Sequence, residues 1–137
     1  MKKFIFAIFI LISTVLLGQN SVVEVPTIAV KIPLGEMVNF KGVSIKFTEV
    51  MEDSRCPTGV QCVWAGRIKI KAEVSEKGKT TIKEIIFGQA NADESDSKIL
   101  YTSDKFTLTA EKIIPYPTSE NNIEKEEYCL LVSEGEN

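Results

Sequence analysis

Residues 62–74 of the chain read CVWAGRIKIKAEV. From Ile68 to Val74 every second residue is apolar, and the residues between them are charged. Because successive side chains of a strand point to opposite faces of a sheet, this alternation predicts a half-buried β-strand. Trp64 and Gly66 have the same parity as the apolar positions, so the pattern predicts both in the structural core. A tryptophan that contacts a carbohydrate or a protein would instead break the phase and be exposed.

Short alternating segments also run along the rest of the chain, with turn residues between them and no helical period. Lys41-Gly42 lies between two such segments and predicts a two-residue hairpin turn, because glycine accepts the positive φ that this turn requires. Val50 is out of phase with residues 43–47, which predicts a bulge near Glu49. The whole pattern predicts an all-β fold, a single antiparallel β-sandwich or small barrel of about seven or eight strands.

The same pattern continues to the end of the chain. The Pro-Tyr-Pro sequence at residues 115–117 ends one predicted strand, because proline cannot donate a hydrogen bond to a neighbouring strand. Tyr128 opens the apolar face of the last strand, which places it in the predicted core. Cys129 has the parity of Leu131, and we expect a packed free thiol there, since a buried cysteine behaves as a small apolar residue. Pairing with another molecule stays an alternative.

The first 18 residues have the three parts of a secretory signal. Lys2 and Lys3 supply the positive start, residues 4–17 are almost wholly apolar, and Gly18 is a small residue suited to cleavage. The apolar run is shorter than the roughly 20 residues that a membrane-spanning helix needs. We therefore predict a signal peptide at residues 1–18.

Gln19 stands where a lipoprotein signal would have its cysteine, so we expect no lipid anchor. Removing residues 1–18 from the 137-residue chain leaves 119 residues, the size of one domain, and changes the formal charge from −3 to −5. We predict a single β domain at 19–137, periplasmic or secreted, without a stable membrane span in the mature form. Its charges of both signs are interspersed, which argues against nucleic acid or anionic lipid as the main partner.

Cys56 and Cys62 have five residues between them and lie just before the strand described first. In an oxidising compartment a disulfide is the expected fate of such a pair, and the chain-entropy model gives this small ring a stabilisation of roughly 2 to 2.5 kcal/mol. Redox-active pairs are typically spaced by two residues, and structural zinc needs four ligands. We predict a structural disulfide, and no metal or cofactor.

The loop around this disulfide contains the candidate binding residues Asp53, Arg55, Thr58 and Gln61. One interpretation is a loop whose polar groups bond within the protein, with Arg55 folding back on Asp53, on Glu52 or on a carbonyl group. The alternative is that the closed ring presents these side chains to a partner and loses less entropy on binding, with Arg55 as the anchor.

Catalytic residues are hard to find in this sequence. The chain has no histidine, the usual base of nucleophilic catalysis and a common metal ligand. The acidic residues Asp93, Glu94 and Asp96 lie in a polar stretch that we interpret as a solvated loop, without the fixed separation that glycoside hydrolysis needs. We assign no catalytic residue and predict that the protein is not an enzyme.

The motif DSRCP at residues 53–57, followed by CVWAG at residues 62–66, resembles a group of small exported bacterial proteins and lipoproteins. A Pro-rich turn and a last strand with a tyrosine, here Tyr128, also fit that group. A Phe- and Leu-rich signal ending in Gly-Gln is similar to signals of the Bacteroidetes. The resemblance implies export and a β fold, and it transfers no activity.

These features together predict a non-catalytic exported binding module that uses the disulfide-clamped loop. Its partner would be a protein or another component of the cell envelope, and a protease inhibitor is one concrete version, since it needs a rigid exposed loop. The alternatives are a small periplasmic enzyme, either a carboxylate hydrolase or a thiol oxidoreductase, and a purely structural envelope protein.

Overall fold

A computed structural model describes residues 28–137, and the predicted signal peptide lies outside this range. The described part contains eight strands and one short 3₁₀ helix at Lys125–Glu127. The strands are β1 (Ala29–Pro33), β2 (Met37–Phe40), β3 (Val43–Asp53), β4 (Arg67–Glu76), β5 (Lys79–Gly88), β6 (Ile99–Thr102), β7 (Phe106–Ile114) and β8 (Cys129–Glu136).

The strands form two four-stranded sheets that pack face to face. One sheet has the order β1-β8-β7-β6 and the other the order β2-β3-β4-β5, and every pairing is antiparallel. Neither sheet closes on itself, so the all-β prediction is confirmed in its sandwich form. The core between the sheets is apolar, and its most deeply buried large side chains include Ile32, Ile45, Phe47, Ile70, Leu108 and Leu130.

Strand β4 has the alternation that its sequence predicts. Ile68, Ile70, Ala72 and Val74 are buried, whereas the charged residues between them are half-buried on the outer face. Both edges of β4 are hydrogen-bonded, to β3 and to β5, and its inner face packs in the core between the two sheets. The strand therefore anchors the segment that precedes it in the chain.

Tight turns set the register of the second sheet. Lys41 and Gly42, which join β2 to β3, have φ values of 51° and 93°. Positive φ at both central residues is the geometry of a two-residue hairpin whose twist matches that of the strands. The pairing of β3 with β4 shifts register between Phe47 and Glu49, so the predicted bulge is confirmed.

Candidate functional site

The loop that joins β3 to β4, residues 54–66, lies at one end of the sandwich and is called the clamped loop below. Cys56 and Cys62 form a disulfide with Cα atoms 5.9 Å apart, which confirms the predicted pairing. Within the ring, the Val60 N–H donates to the Pro57 carbonyl at 3.2 Å and closes a turn. The loop is thus constrained both covalently and by its own backbone.

Arg55 ties this loop to both sheets. Its Nε and Nη2 donate to the two carboxylate oxygens of Asp53 at 2.8 and 2.6 Å, at the end of β3. Its Nη1 donates to the Ile113 carbonyl at 3.0 Å and its Nη2 to the Pro115 carbonyl at 3.1 Å, at the end of β7 in the other sheet. The Arg55 side chain is only 7% exposed. Both charges are satisfied inside the protein, as in the interpretation in which Arg55 folds back on Asp53 and on carbonyl groups, and the alternative of Arg55 as an exposed anchor gains no support.

Two tyrosines complete this cluster. Tyr128, which is 9% exposed and part of the core, donates its hydroxyl to Asp53 at 2.9 Å. Burial opposes ionisation of Asp53, but the hydrogen bonds from Arg55 and Tyr128 outweigh it, and the pKa of the carboxyl lies below its ordinary value. Burial first, and then the bond to Asp53, raise the pKa of Tyr128. The Tyr116 ring lies 5.1 Å from the Arg55 guanidinium and covers it.

A second tether holds the tip of the clamped loop through its backbone. The Thr58 N–H donates to the Pro117 carbonyl at 3.0 Å, and the Thr58 carbonyl accepts from the Ser119 N–H at 3.3 Å. These bonds pair Thr58 with Thr118 as an isolated parallel bridge. The side chains of Thr58 and Gln61, two of the predicted contact residues, are exposed.

Gly66 holds the two legs of the loop together. A Cβ atom at this position would lie 1.8 Å from the Ser54 carbonyl oxygen, and its φ of +72° belongs to the left-handed region. The legs are joined by hydrogen bonds from Cys56 N to Ala65 O at 3.1 Å and from Ser54 N to Arg67 O at 2.8 Å. The predicted role of Gly66 as a core residue is corrected to one of close backbone approach.

Trp64 is 79% exposed, so the prediction that it packs in the core is wrong. Strand β4 begins only at Arg67, and the positive φ of Gly66 breaks the alternation, so the strand parity does not extend back to Trp64. Val63 and Val60, on the same loop, are 92% and 47% exposed. The glycine between Trp64 and the strand was the available signal, because glycine at a strand end often marks such a break.

A shallow cleft of about 280 Å³, called the Trp64 cleft below, lies beside the clamped loop. It is lined by residues 64–67 together with Ser54, Gln89 and Asn91. The sequence did not single out the two amide residues, because they approach Trp64 only when β5 pairs with β4 and brings its C-terminal end next to Arg67.

Glu94 fixes the segment that carries those amides. Its carboxylate accepts hydrogen bonds from the Asn91 N–H at 2.9 Å, from Arg67 Nη1 at 2.5 Å and from Lys69 Nζ at 3.1 Å. The Asn91 bond is the largest influence on the carboxyl, and together with the two cations it lowers the pKa of Glu94 to about 2, against the opposing effect of desolvation. The prediction that Glu94 is a solvated charge is wrong.

Within residues 28–137, no three histidine, cysteine or acidic side chains gather into a group that could hold a metal ion. Cys129 carries a free thiol and is half-exposed at the start of β8. Its sulfur lies 3.7 Å from the Glu127 carbonyl oxygen.

Comparisons of the chain with protein-family models, with curated proteins and with solved structures found no match. Between residues 28 and 137 the structure contains no helix long and apolar enough to span a membrane.

Proposed function

We propose that the protein is an exported, non-catalytic binding module whose contact surface is the clamped loop. The observation that carries this proposal is the exposure of Trp64 and Val63 on a loop that a disulfide, the Arg55 hydrogen bonds and the close contact at Gly66 constrain. An unconstrained loop would bury such side chains or move freely, whereas here the disulfide, Arg55 and Gly66 hold them in water.

The rigidity of the clamped loop and the type of its exposed residues both favour binding. Tryptophan is over-represented among the residues that contribute most to binding, because it buries a large apolar area with few rotatable bonds. A preorganised loop loses less conformational entropy when it binds. Exposed apolar side chains on a rigid support therefore favour recognition over a purely structural role.

The acidic groups of the site are unsuited to proton transfer. Asp53 and Glu94 have lowered pKa values, since both are bound by cations and by further hydrogen-bond donors. A general acid at neutral pH needs a raised pKa instead. This supports a non-catalytic role over the carboxylate-hydrolase alternative. The five residues between Cys56 and Cys62, where redox-active pairs typically have two, weigh against the oxidoreductase alternative.

Export is supported by the disulfide and by the signal-like N-terminus, because disulfides persist outside the reducing cytosol. The protease-inhibitor version has less support. Proteases bind their substrate segments in extended form, whereas Pro57 to Val60 form a closed turn with Gly59 at a φ of +83°. We therefore keep the wider proposal of an envelope component as the partner.

Co-sedimentation with an envelope fraction from the source cells tests the proposal. We expect the wild-type protein to be retained, and the Trp64→Ala and Val63→Ser variants to be retained several-fold less. Ile82→Ser is the matched control, since Ile82 is 63% exposed on β5, outside the clamped loop. Equal retention of all variants, or no retention of the wild type, would contradict the proposed role of the loop.

A further inference from the structure

The base of the Trp64 cleft is built from backbone in close contact. A Cβ atom at Gly66 would lie 1.8 Å from the Ser54 carbonyl oxygen, and one at Gly88 would lie 2.7 Å from the Gly66 carbonyl oxygen. Three segments of chain therefore pack so closely that only glycine fits between them. The cleft exists before a ligand arrives, and binding there does not require the backbone to be ordered first.

The charges around the cleft are already paired. Arg67 donates to Glu52 at 2.9 Å and to Glu94 at 2.5 Å, so its guanidinium is committed to two carboxylates. Lys69 is bound to Glu94 in turn. Among the described residues that line the cleft, Arg67 is thus the one cation and it is already paired, so an uncharged ligand fits the cleft best.

Polar recognition is left to two amide side chains. Gln89 and Asn91 are exposed at the rim of the cleft. Among the described residues, Asn91 joins the hydrogen bonds of its own segment through its backbone, as donor to the Glu94 carboxylate and as acceptor from the Glu94 N–H. Its side-chain amide, which has both a donor and an acceptor on one planar group, can therefore bind a ligand.

We infer that the Trp64 cleft binds a neutral glycan. The apolar C–H face of one sugar ring packs on the Trp64 indole, and the ring's hydroxyl groups, which both donate and accept, bond to the amides of Gln89 and Asn91. This inference rests on the proposed function and names the ligand class of the same loop. The volume of about 280 Å³ is just below the range of roughly 300 to 1,000 Å³ that is usual for small-molecule sites, which suits one sugar ring of a longer chain.

The neighbours of Trp64 favour a glycan over the other classes of partner. A lipid surface is bound by apolar side chains backed by basic residues, and here the basic residue that lines the cleft, Arg67, is neutralised by Glu52 and Glu94. A protein partner is bound by a broad contact with a central apolar pocket. An indole beside amide groups in a shallow cleft matches the mixed apolar and hydroxyl surface of a sugar.

Trp64 is the only tryptophan of the chain, so its fluorescence reports directly on the cleft. The full mature protein is titrated with maltotriose, cellotriose and the trimer of N-acetylglucosamine, up to the millimolar range. We expect at least one trisaccharide to give a saturable blue shift of the emission. The Asn91→Ala and Gln89→Ala variants should each weaken that binding by about tenfold. Asn121→Ala, an exposed amide on the connector before β8, should bind like the wild type.

Two outcomes would overturn the inference. One is the absence of a saturable shift with any of the three trisaccharides. The other is a shift that phosphatidylcholine vesicles reproduce, or that the Asn91→Ala and Gln89→Ala variants retain in full. Circular dichroism of each variant checks that the fold is intact, so that a loss of binding is not mistaken for a loss of folding.

A separate arm distinguishes this inference from the proposed function. The envelope fraction is digested with a protease before co-sedimentation. Retention that survives digestion and still depends on Trp64 supports a glycan. Retention that depends on Trp64 but disappears after digestion would identify a protein partner, which leaves the binding module in place and removes the glycan.

Discussion

Arg55 lies against Asp53 with its Nη2 2.6 Å from Oδ2, and the same guanidinium binds the Ile113 and Pro115 carbonyls of the opposite sheet. Arg55, a candidate ligand contact from the sequence, therefore joins the two sheets by hydrogen bonds. Its charge is neutralised by Asp53, and the Ile113 and Pro115 carbonyl groups accept two further hydrogen bonds from it, so the buried guanidinium is engaged within the protein.

Replacing Arg55 should destabilise the protein strongly. Arg55→Ala leaves the Asp53 carboxylate, which is 13% exposed, without its cation, and we expect a loss of about 3 kcal/mol in the free energy of unfolding. Urea denaturation measures it. Lys98→Ala removes an exposed ion pair with Asp96 and should change stability by less than about 1 kcal/mol. Equal small effects of both substitutions would show that the contacts of Arg55 with Asp53 and with the two carbonyl groups do not stabilise the fold.

Replacing Gly66 tests the close approach of the two legs of the loop. Gly66→Ala drives a Cβ atom into the Ser54 carbonyl, and we expect a loss of more than about 2 kcal/mol. Gly42→Ala is the matched control, because Gly42 also has positive φ but no heavy atom within 4 Å of the added Cβ. The control should cost only the backbone strain, about 1 kcal/mol. Indistinguishable melting temperatures for the two variants would refute the contact argument.

Trp64 should contribute almost nothing to stability. Because its side chain is 79% exposed, Trp64→Ala should change the free energy of unfolding by less than about 0.5 kcal/mol. Ile70→Ala, at a fully buried position of β4, should cost about 2 to 5 kcal/mol. Acrylamide should quench the fluorescence of the native protein nearly as well as that of the unfolded chain. A strongly protected native tryptophan would place the ring in the interior.

Removing the disulfide should cost an intermediate amount. The Cys56→Ser, Cys62→Ser double variant loses the closure of a small ring, and we expect a decrease of roughly 2 to 2.5 kcal/mol. Thiol titration of the unreduced, denatured protein should find one free thiol, that of Cys129. Three thiols in unreduced material would mean that the ring is open and that the rigidity argument fails.

Glu94 should make stability depend on pH in the acid range. Its pKa is about 2 in the folded protein, below the ordinary 4.5, so the unfolded chain binds more protons between these values. The stabilisation is therefore complete above about pH 5 and is lost as the pH falls towards about 2. The difference in unfolding free energy between wild type and Glu94→Gln should be constant from about pH 7 to 5 and shrink below that. A difference that does not change with pH would show that the Glu94 carboxyl is not held by these contacts.

The strands were predictable because their signal is local. In β4 the alternation from Ile68 to Val74 specifies both the strand and its buried face, and the Lys41-Gly42 pair specifies a turn through backbone preferences alone. The cysteine pair at positions 56 and 62 specified the ring in the same way. Each of these features depends on neighbours in the chain, and so each can be found without knowing the fold.

The candidate site was not predictable to the same degree because its contacts are distant in sequence. Arg55 meets carbonyl groups 58 and 60 positions away, and Glu94 meets Arg67 across 27 positions. The parity rule failed at Trp64 because Gly66 leaves the extended conformation before the strand begins. A period of two holds only along a continuous strand.

The amino-acid sequence by itself determined the β class, the positions of most strands and turns, and the pairing of Cys56 with Cys62, since these follow from periodicity, φ preferences and proximity along the chain. Only the tertiary structure decided which side chains of the loop form contacts within the protein and which remain exposed to solvent. That choice depends on how the end of β3 meets the end of β7, and on how the end of β5 meets the start of β4. There Arg55 binds carbonyl groups, and no residue between 28 and 137 covers the Trp64 ring.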